Sequence, residues 1–145
     1  MVKQCTPMCS IVLAGSNEVW NFGDVAYGII PGVMRLRENL REYVDTHMNI
    51  SAASGLPLLR PMVLQFPHDP ACAAVDVEDQ YMFGDAWLVA PVYIQGATSR
   101  SVYLPVLGRG QGWQHYYSGH TRKGGVRIEE KTTLADFPLY RVATL

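Results

Sequence analysis

One apolar stripe at helical spacing, followed only by short apolar runs between turn residues, restricts this 145-residue chain to a helix set against β-structure. Ile29, Val33, Leu36, Leu40, Tyr43 and His47 recur at steps of four and three. At 3.6 residues per turn they share one side of a helix, and Val44 and Met48 widen the stripe. Arg35, Arg37, Glu38, Arg41, Glu42 and Asp45 fill much of the rest as a solvated face. Asp24 is placed to cap the first turn, and Gly55, with Pro57 close behind, to end the last. A helix over Asp24–Ser54 is therefore expected. Gly28, Pro31 and Gly32 leave two alternatives for its start: Pro31 as first helical residue, or a kinked first turn.

Beyond Gly55 the expected strands are Leu58–Leu64, Tyr81–Phe83, Trp87–Val92, Ser101–Leu104, Trp113–Tyr117, Val126–Ile128 and Leu139–Val142. Gly-, Asp- and Ser-containing turns separate them at roughly 8–12-residue intervals, the pattern of an antiparallel sandwich. The fold class expected is mainly β: an antiparallel β-sandwich preceded by one long α-helix. Trp87–Val92 is apolar on both faces, Leu88, Ala90 and Val92 on one and Trp87, Val89 and Pro91 on the other. Such a strand meets the helix on one side and a second sheet on the other. The helix stripe needs a cover, either this sandwich or a second copy of the chain. Arg100 reads as a solvated turn residue whose truncation costs less than about 0.5 kcal/mol.

Composition narrows the function classes. Hydrophobic residues at 48% and charged residues at 17% exclude a disordered chain. A net charge of −1 offers no basic field for nucleic acid, and no run approaches the ~20 apolar residues of a spanning helix, so neither nucleic acid nor membrane is an expected partner. Met8–Ala14, diluted by Cys9 and Ser10, reads as a buried strand or loop rather than a leader. Cys5, Cys9 and Cys72 lack metal-site spacing and read as free thiols.

No nucleophile elbow, phosphate-binding loop, dinucleotide fingerprint or zinc-binding HExxH occurs, and no cofactor or metal is expected. His47 reads as a surface or half-buried helix residue, and His68, His115 and His120 are scattered. His115 and His120, with Trp113, Tyr116 and Tyr117, offer either the border of a sugar-stacking surface or an aromatic strand buried in the sandwich. Asp76-Val77-Glu78-Asp79 lacks calcium-loop spacing and reads as capping or turn-making carboxylates. From the residues alone, the chain is a helix plus a sandwich without a visible active site.

Six ordered blocks nevertheless form a recognisable series. They are Arg35-Leu36-Arg37-Glu38-Asn39-Leu40-Arg41-Glu42-Tyr43-Val44, Gly55-Leu56-Pro57-Leu58-Leu59-Arg60-Pro61, Phe66-Pro67-His68-Asp69-Pro70, Asp79-Gln80-Tyr81-Met82-Phe83-Gly84, Leu88-Val89-Ala90-Pro91-Val92 and Val102-Tyr103-Leu104-Pro105. In this order the series resembles glycoside hydrolase family 31, the α-glucosidases and α-xylosidases. Asn17-Glu18-Val19-Trp20-Asn21-Phe22-Gly23 also resembles the approach to the last barrel helix in part of that family. The likeness covers roughly 17–145 and thins after Trp113.

The resemblance implies a catalytic (β/α)₈ barrel with a small β-sandwich beside it. Residues 1–55 would be a loop and helix ending the barrel, and 56–145 the sandwich, with the end of that sandwich cut short. The family retains configuration through two carboxylates on earlier barrel strands, and the motifs of both are missing here. No catalytic residue is therefore expected in this chain. Barrel sites lie on the loops after the strands, and the resemblance places 16–23 after the eighth. Asn17, Trp20 and Asn21 are the expected substrate-pocket rim; packing of Trp20 against the helix start and a turn shaped by Asn17 are the alternatives. The expected function is that of a C-terminal fragment of a retaining α-glycosidase, with carbohydrate as partner through the barrel and self-association through an exposed helix. The alternative is a non-catalytic β-sandwich module, carbohydrate-binding or structural.

Overall fold

A computed structural model describes residues 18–74 and 77–145. The helical stripe forms α1 (Asp24–Asn39) and α2 (Arg41–Ser54), separated only at Leu40. There φ is −91° and ψ is 2°, and the Leu40 amide is shared between Leu36 O at 3.1 Å and Arg37 O at 3.2 Å. Val44 N donates to Leu40 O at 2.9 Å, so the ladder resumes at once and the expected single helix is a bent pair. Gly23, not Asp24, precedes the first helical residue, and no side chain caps it. Pro31 lies inside α1, where its ring nitrogen omits one ladder bond. At the far end Gly55 adopts φ +75° and donates to Ser51 O at 2.8 Å, the left-handed stop its sequence position suggests.

The strands are β1 (Leu59–Pro61), β2 (Tyr81–Phe83), β3 (Trp87–Val89), β4 (Ser99–Leu104), β5 (Gln111–His115), β6 (Thr121–Arg122), β7 (Val126–Lys131) and β8 (Leu139–Thr144). All pairs are antiparallel, in a six-stranded sheet ordered β1-β2-β3-β8-β5-β6 and a two-stranded sheet β4-β7. Met82, Leu88, Trp113 and Tyr140 of the large sheet meet Val102 and Leu104 of the small one in the sandwich core, all essentially inaccessible. The opposite face of the large sheet is covered by the helices. Leu36 and Leu40 pack with Leu58, Phe83, Val89, Phe137 and Leu139. The chain's own sheet covers the stripe at Leu36, Leu40, Tyr43 and Val44, while Ile29 and Val33 lie outside that cluster and Met48 is exposed.

β3 therefore has a core on each side. Leu88 and Ala90 join the sandwich interior while Val89 and Trp87 face the helices, the division its alternation dictates.

Three expectations are corrected. The apolar run Leu58–Leu64 is strand only to Pro61; Met62–Gln65 forms a helical turn, α3. Pro61 has no amide to continue a ladder, and the Arg60 guanidinium ties the corner by donating to Pro57 O and Gln65 Oε1, both at 2.8 Å. Arg100 is not a solvated turn residue. It lies in β4 with its side chain 10% exposed, donating to Asp79 Oδ1 at 2.6 Å and to Pro91 O. His47, on the stripe but expected at the surface or half-buried, is buried, 4% exposed. No described helix is long and apolar enough to cross a membrane.

Candidate functional site

The expected rim residues fall at the start of α1. Val19–Phe22 makes one 3₁₀ turn, closed by Asn21 N donating to Glu18 O at 2.9 Å. Gly23, at φ +82°, redirects the chain into α1, where Tyr27 N donates back to Gly23 O at 2.9 Å. Trp20 is 65% exposed, so it does not pack the helix start. Asn21 is likewise exposed, and Asn17 lies outside the described residues, as do Cys5, Cys9 and Met8–Ala14. The turn thus presents an indole and a carboxamide to solvent, groups able to stack on or hydrogen-bond a sugar.

The chemistry-bearing side chains that the fold does gather lie elsewhere, where α2 meets the β2–β3 turn. The Tyr43 hydroxyl donates to Phe83 O at 2.9 Å and accepts from Asp85 N and Ala86 N, each at 3.1 Å. Burial above all pushes its phenol up to about 12. His47 stacks 4.3 Å from the Tyr43 ring, and its Nε2 lies 3.2 Å from Asp85 Oδ1. Gly84 passes beneath them at φ +65°, so close that a Cβ there would lie 2.0 Å from the Tyr43 hydroxyl. The Tyr43 hydroxyl is a clamp, spent on the backbone of the turn, while His47 pairs through Nε2 with the Asp85 carboxylate and its buried Nδ1 has no hydrogen-bond partner among the described residues. The sequence placed Tyr43 and His47 on the buried stripe and Gly84-Asp85 in a turn, but gave no signal that the two would meet.

Of the remaining histidines, His115 and His120 meet across the β5–β6 hairpin, where His115 N donates to His120 O at 2.9 Å. His115 sits in the β5–β6 hairpin, where Ser118 N donates to its Nδ1 at 3.2 Å, and burial holds it below its usual value. Asp79 of the acidic run is spent on Arg100. Among the described residues no group of three His, Cys, Asp or Glu side chains could hold a metal ion.

The model of the Glycosyl hydrolase family 31 C-terminal domain matches residues 55–142. The chain belongs to glycoside hydrolase family 31. It is 30% identical over 123 residues to an alpha-xylosidase of Saccharolobus solfataricus, covering 85% of this chain and 16% of that protein. It is 31% identical over 127 residues to the human neutral alpha-glucosidase AB, covering 88% of this chain and 13% of that one. Among solved structures, a family 31 alpha-xylosidase from a soil metagenome, complexed with xylose, superposes with a TM-score of 0.81. That match has 35% identity and covers 88% of this chain and 18% of the xylosidase. The chain thus spans only a small part of these relatives' length, 9% of an isomaltosyltransferase of Sporosarcina globispora and 19% of alpha-xylosidase A of Aspergillus niger. The sandwich expected from the turn spacing and the family expected from the ordered blocks are both present.

Proposed function

We propose that this chain works as the C-terminal part of a retaining α-glycosidase that hydrolyses α-glucoside or α-xyloside linkages, and that it supplies no catalytic carboxylate itself. In this reading 1–55 ends a (β/α)₈ barrel and 56–145 is the sandwich that braces it. The observation that carries it is the family membership at 18% of a whole xylosidase's length, with the helices seated on the sandwich. A retaining pair must flank the scissile bond with its carboxyls ~5–5.5 Å apart, and this chain carries neither of the family's carboxylate motifs. What it contributes is position. Leu36 and Leu40 on the sheet and the Tyr43 clamp fix the helix pair, and the start of α1 in turn carries Trp20 and Asn21. Those two residues belong to the rim that a sugar held by the barrel would meet.

Two measurements test this. The purified chain should give no turnover of p-nitrophenyl α-glucoside or α-xyloside, because positioned acid–base and nucleophilic groups each contribute orders of magnitude. Turnover that follows the protein peak through repurification overturns the reading. In a family 31 α-xylosidase, residues 18–145 should replace the corresponding C-terminal part with hydrolysis retained; a folded chimera without turnover also overturns it.

A further inference from the structure

The β5–β6 hairpin closes on a histidine that lies inside the sandwich. His115 pairs with Tyr140 of β8, which pairs in turn with Leu88 of β3, so the three share the inner face of the large sheet. His115 is 8% exposed, and its ring meets the Tyr140 ring edge to face at 5.1 Å. Its Nδ1 accepts from Ser118 N at 3.2 Å, with Ser118 Oγ 2.9 Å from the same nitrogen. A backbone N–H can only donate, so Nδ1 carries a lone pair and the neutral ring holds its proton on Nε2.

The backbone of the turn is organised around that bond. His115 N donates to His120 O and Gly119 N to His115 O, both at 2.9 Å, and Gln114 Nε2 donates to Gly119 O at 3.0 Å. Tyr116 N donates to Leu139 O at 2.8 Å, seating Tyr116 beside Trp87 and Tyr117 beside Phe137. A proton added at Nδ1 sets two donors against each other in a site with little access to water. The Ser118 hydroxyl can turn to accept it; the Ser118 amide cannot. Nor are the surroundings built to take the charge. Two carboxylates favour it, Glu130 on β7 and Asp136 between β7 and β8, while His120 and Arg122 across the hairpin oppose it. Glu130 Oε2 is already engaged, accepting from the Tyr140 hydroxyl at 2.6 Å. Burial outweighs these charges and holds the ring below its usual value, so the folded turn keeps the neutral form.

We propose that His115 is an acid-operated latch: protonation of its ring opens the 115–120 turn and frees Tyr116 and Tyr117, while the two sheets stay folded. The sign follows from linkage. The closed turn binds fewer protons than the open one below about pH 6.5, so it is favoured above that pH and lost as pH falls. The opening stays local because little is built beyond the turn. β6 is a two-residue edge strand with both residues exposed. β5, by contrast, pairs with β8 over five residues, and the Trp113 indole, donating to Pro105 O at 2.8 Å, anchors it in the core. No part of this rests on the glycosidase reading.

Native-state hydrogen exchange of the full chain tests the latch, read by NMR from about pH 7.5 to about 4.5 and corrected for intrinsic exchange. Protection at Gly119 N and Tyr116 N should fall about three- to tenfold on acidification, the worth of one hydrogen bond, over the interval in which the His115 ring carbons titrate. Ala90 N and Val142 N, bonded to Pro138 O and Ala86 O, should keep theirs. His115→Gln supplies an acceptor that does not titrate, so protection of the turn should no longer depend on pH, whereas His120→Gln should behave as the parent. Constant Gly119 protection while His115 titrates overturns the proposal, as does a fall that persists in His115→Gln. Loss at Ala90 and Val142 together with the turn overturns it too, because the opening is then global. A His115 ring that does not titrate in this interval refutes it without recourse to any variant.

Discussion

Gly84→Ala should be among the costliest single-methyl changes in this chain, and Gly55→Ala measures how much of the cost is backbone alone. Both glycines have left-handed φ, +65° and +75°. Moving any L-residue into that region costs about 1–2 kcal/mol. At Gly55 nothing lies within 4 Å of the added Cβ, so the backbone cost is the whole of it. At Gly84 the Cβ would meet the Tyr43 hydroxyl at 2.0 Å and ring carbon Cζ at 2.6 Å, distances no relaxation of the methyl can accommodate. The phenol must leave, giving up its bonds to Phe83 O, Asp85 N and Ala86 N. At about 0.5–1.5 kcal/mol net for each, two or three lost bonds add about 1–4 kcal/mol. The expected difference between the two variants is therefore about 1–4 kcal/mol, against a total of ~5–15 kcal/mol for a typical domain. Urea unfolding followed by circular dichroism and tryptophan fluorescence reads it directly. Placing Gly84→Ala in a Tyr43→Phe background should cost less than in the parent, since the hydroxyl bonds are already gone. Equal costs for Gly84→Ala and Gly55→Ala, within about 0.5 kcal/mol, would refute the clamp.

Leu88→Ala, at a side chain with no exposed surface, should lose about 2–5 kcal/mol in the same assay, and Val89→Ala somewhat less because fewer methyl groups leave. Arg100→Ala should cost about 2–3 kcal/mol, several times the surface value its sequence context suggests, because Asp79 and the Pro91 carbonyl lose a charged donor; thermal melting alongside Asp79→Ala checks that the two variants fail through the same pair. The Tyr43 and Tyr103 phenols are both pushed up to about 12, mainly by burial, so the folded chain keeps protons the unfolded one releases near 10; stability should fall as pH rises from about 10 to about 12, and less steeply in Tyr43→Phe. His115, held below its usual value by burial, contributes stability that is present above about pH 6.5 and lost as pH falls, and His115→Phe should flatten the acid limb of the melting curve.

The readings that succeeded rest on periodicity, and those that failed concern partners distant in sequence. The three-and-four spacing of Leu36 and Leu40 and the two-sided apolarity of Trp87–Val89 each determine a buried face whatever the rest of the chain does. Periodicity cannot tell a short apolar run in a strand from one in a helical turn, and Leu58–Leu64 is both, because Pro61 ends the ladder midway. Arg100 was misread because its partner lies 21 residues away and nothing local announces an ion pair. β6, two residues long and with both residues exposed, has no hydrophobic pattern to read at all. For the site, the sequence marked Trp20 and Asn21 as rim candidates through resemblance. The Tyr116–Tyr117 hairpin was legible as an aromatic cluster, but which face of the sheet would carry it was not.

The blocks that carry the family likeness are joined to one another in space, and the joints are structural. Asp69, from the Phe66–Pro70 block, accepts from the Tyr103 hydroxyl at 2.8 Å and from Ala71 N at 3.1 Å. Gln80, 1% exposed, spends both ends of its amide on the Tyr103 backbone, donating to its O at 2.7 Å and accepting from its N at 3.0 Å. Asp79 beside it holds Arg100, and Pro105 O, closing the last block, accepts from the Trp113 indole at 2.8 Å. The Asp79 and Gln80 bonds fasten β4 of the small sheet to the segment that enters β2 of the large one, and the Trp113 bond ties the end of β4 to β5. Buried polar groups of this kind permit little substitution, because removing either partner leaves the other unpaired in the core. The blocks by which the chain resembles family 31 thus include the buried polar residues that hold its two sheets against each other.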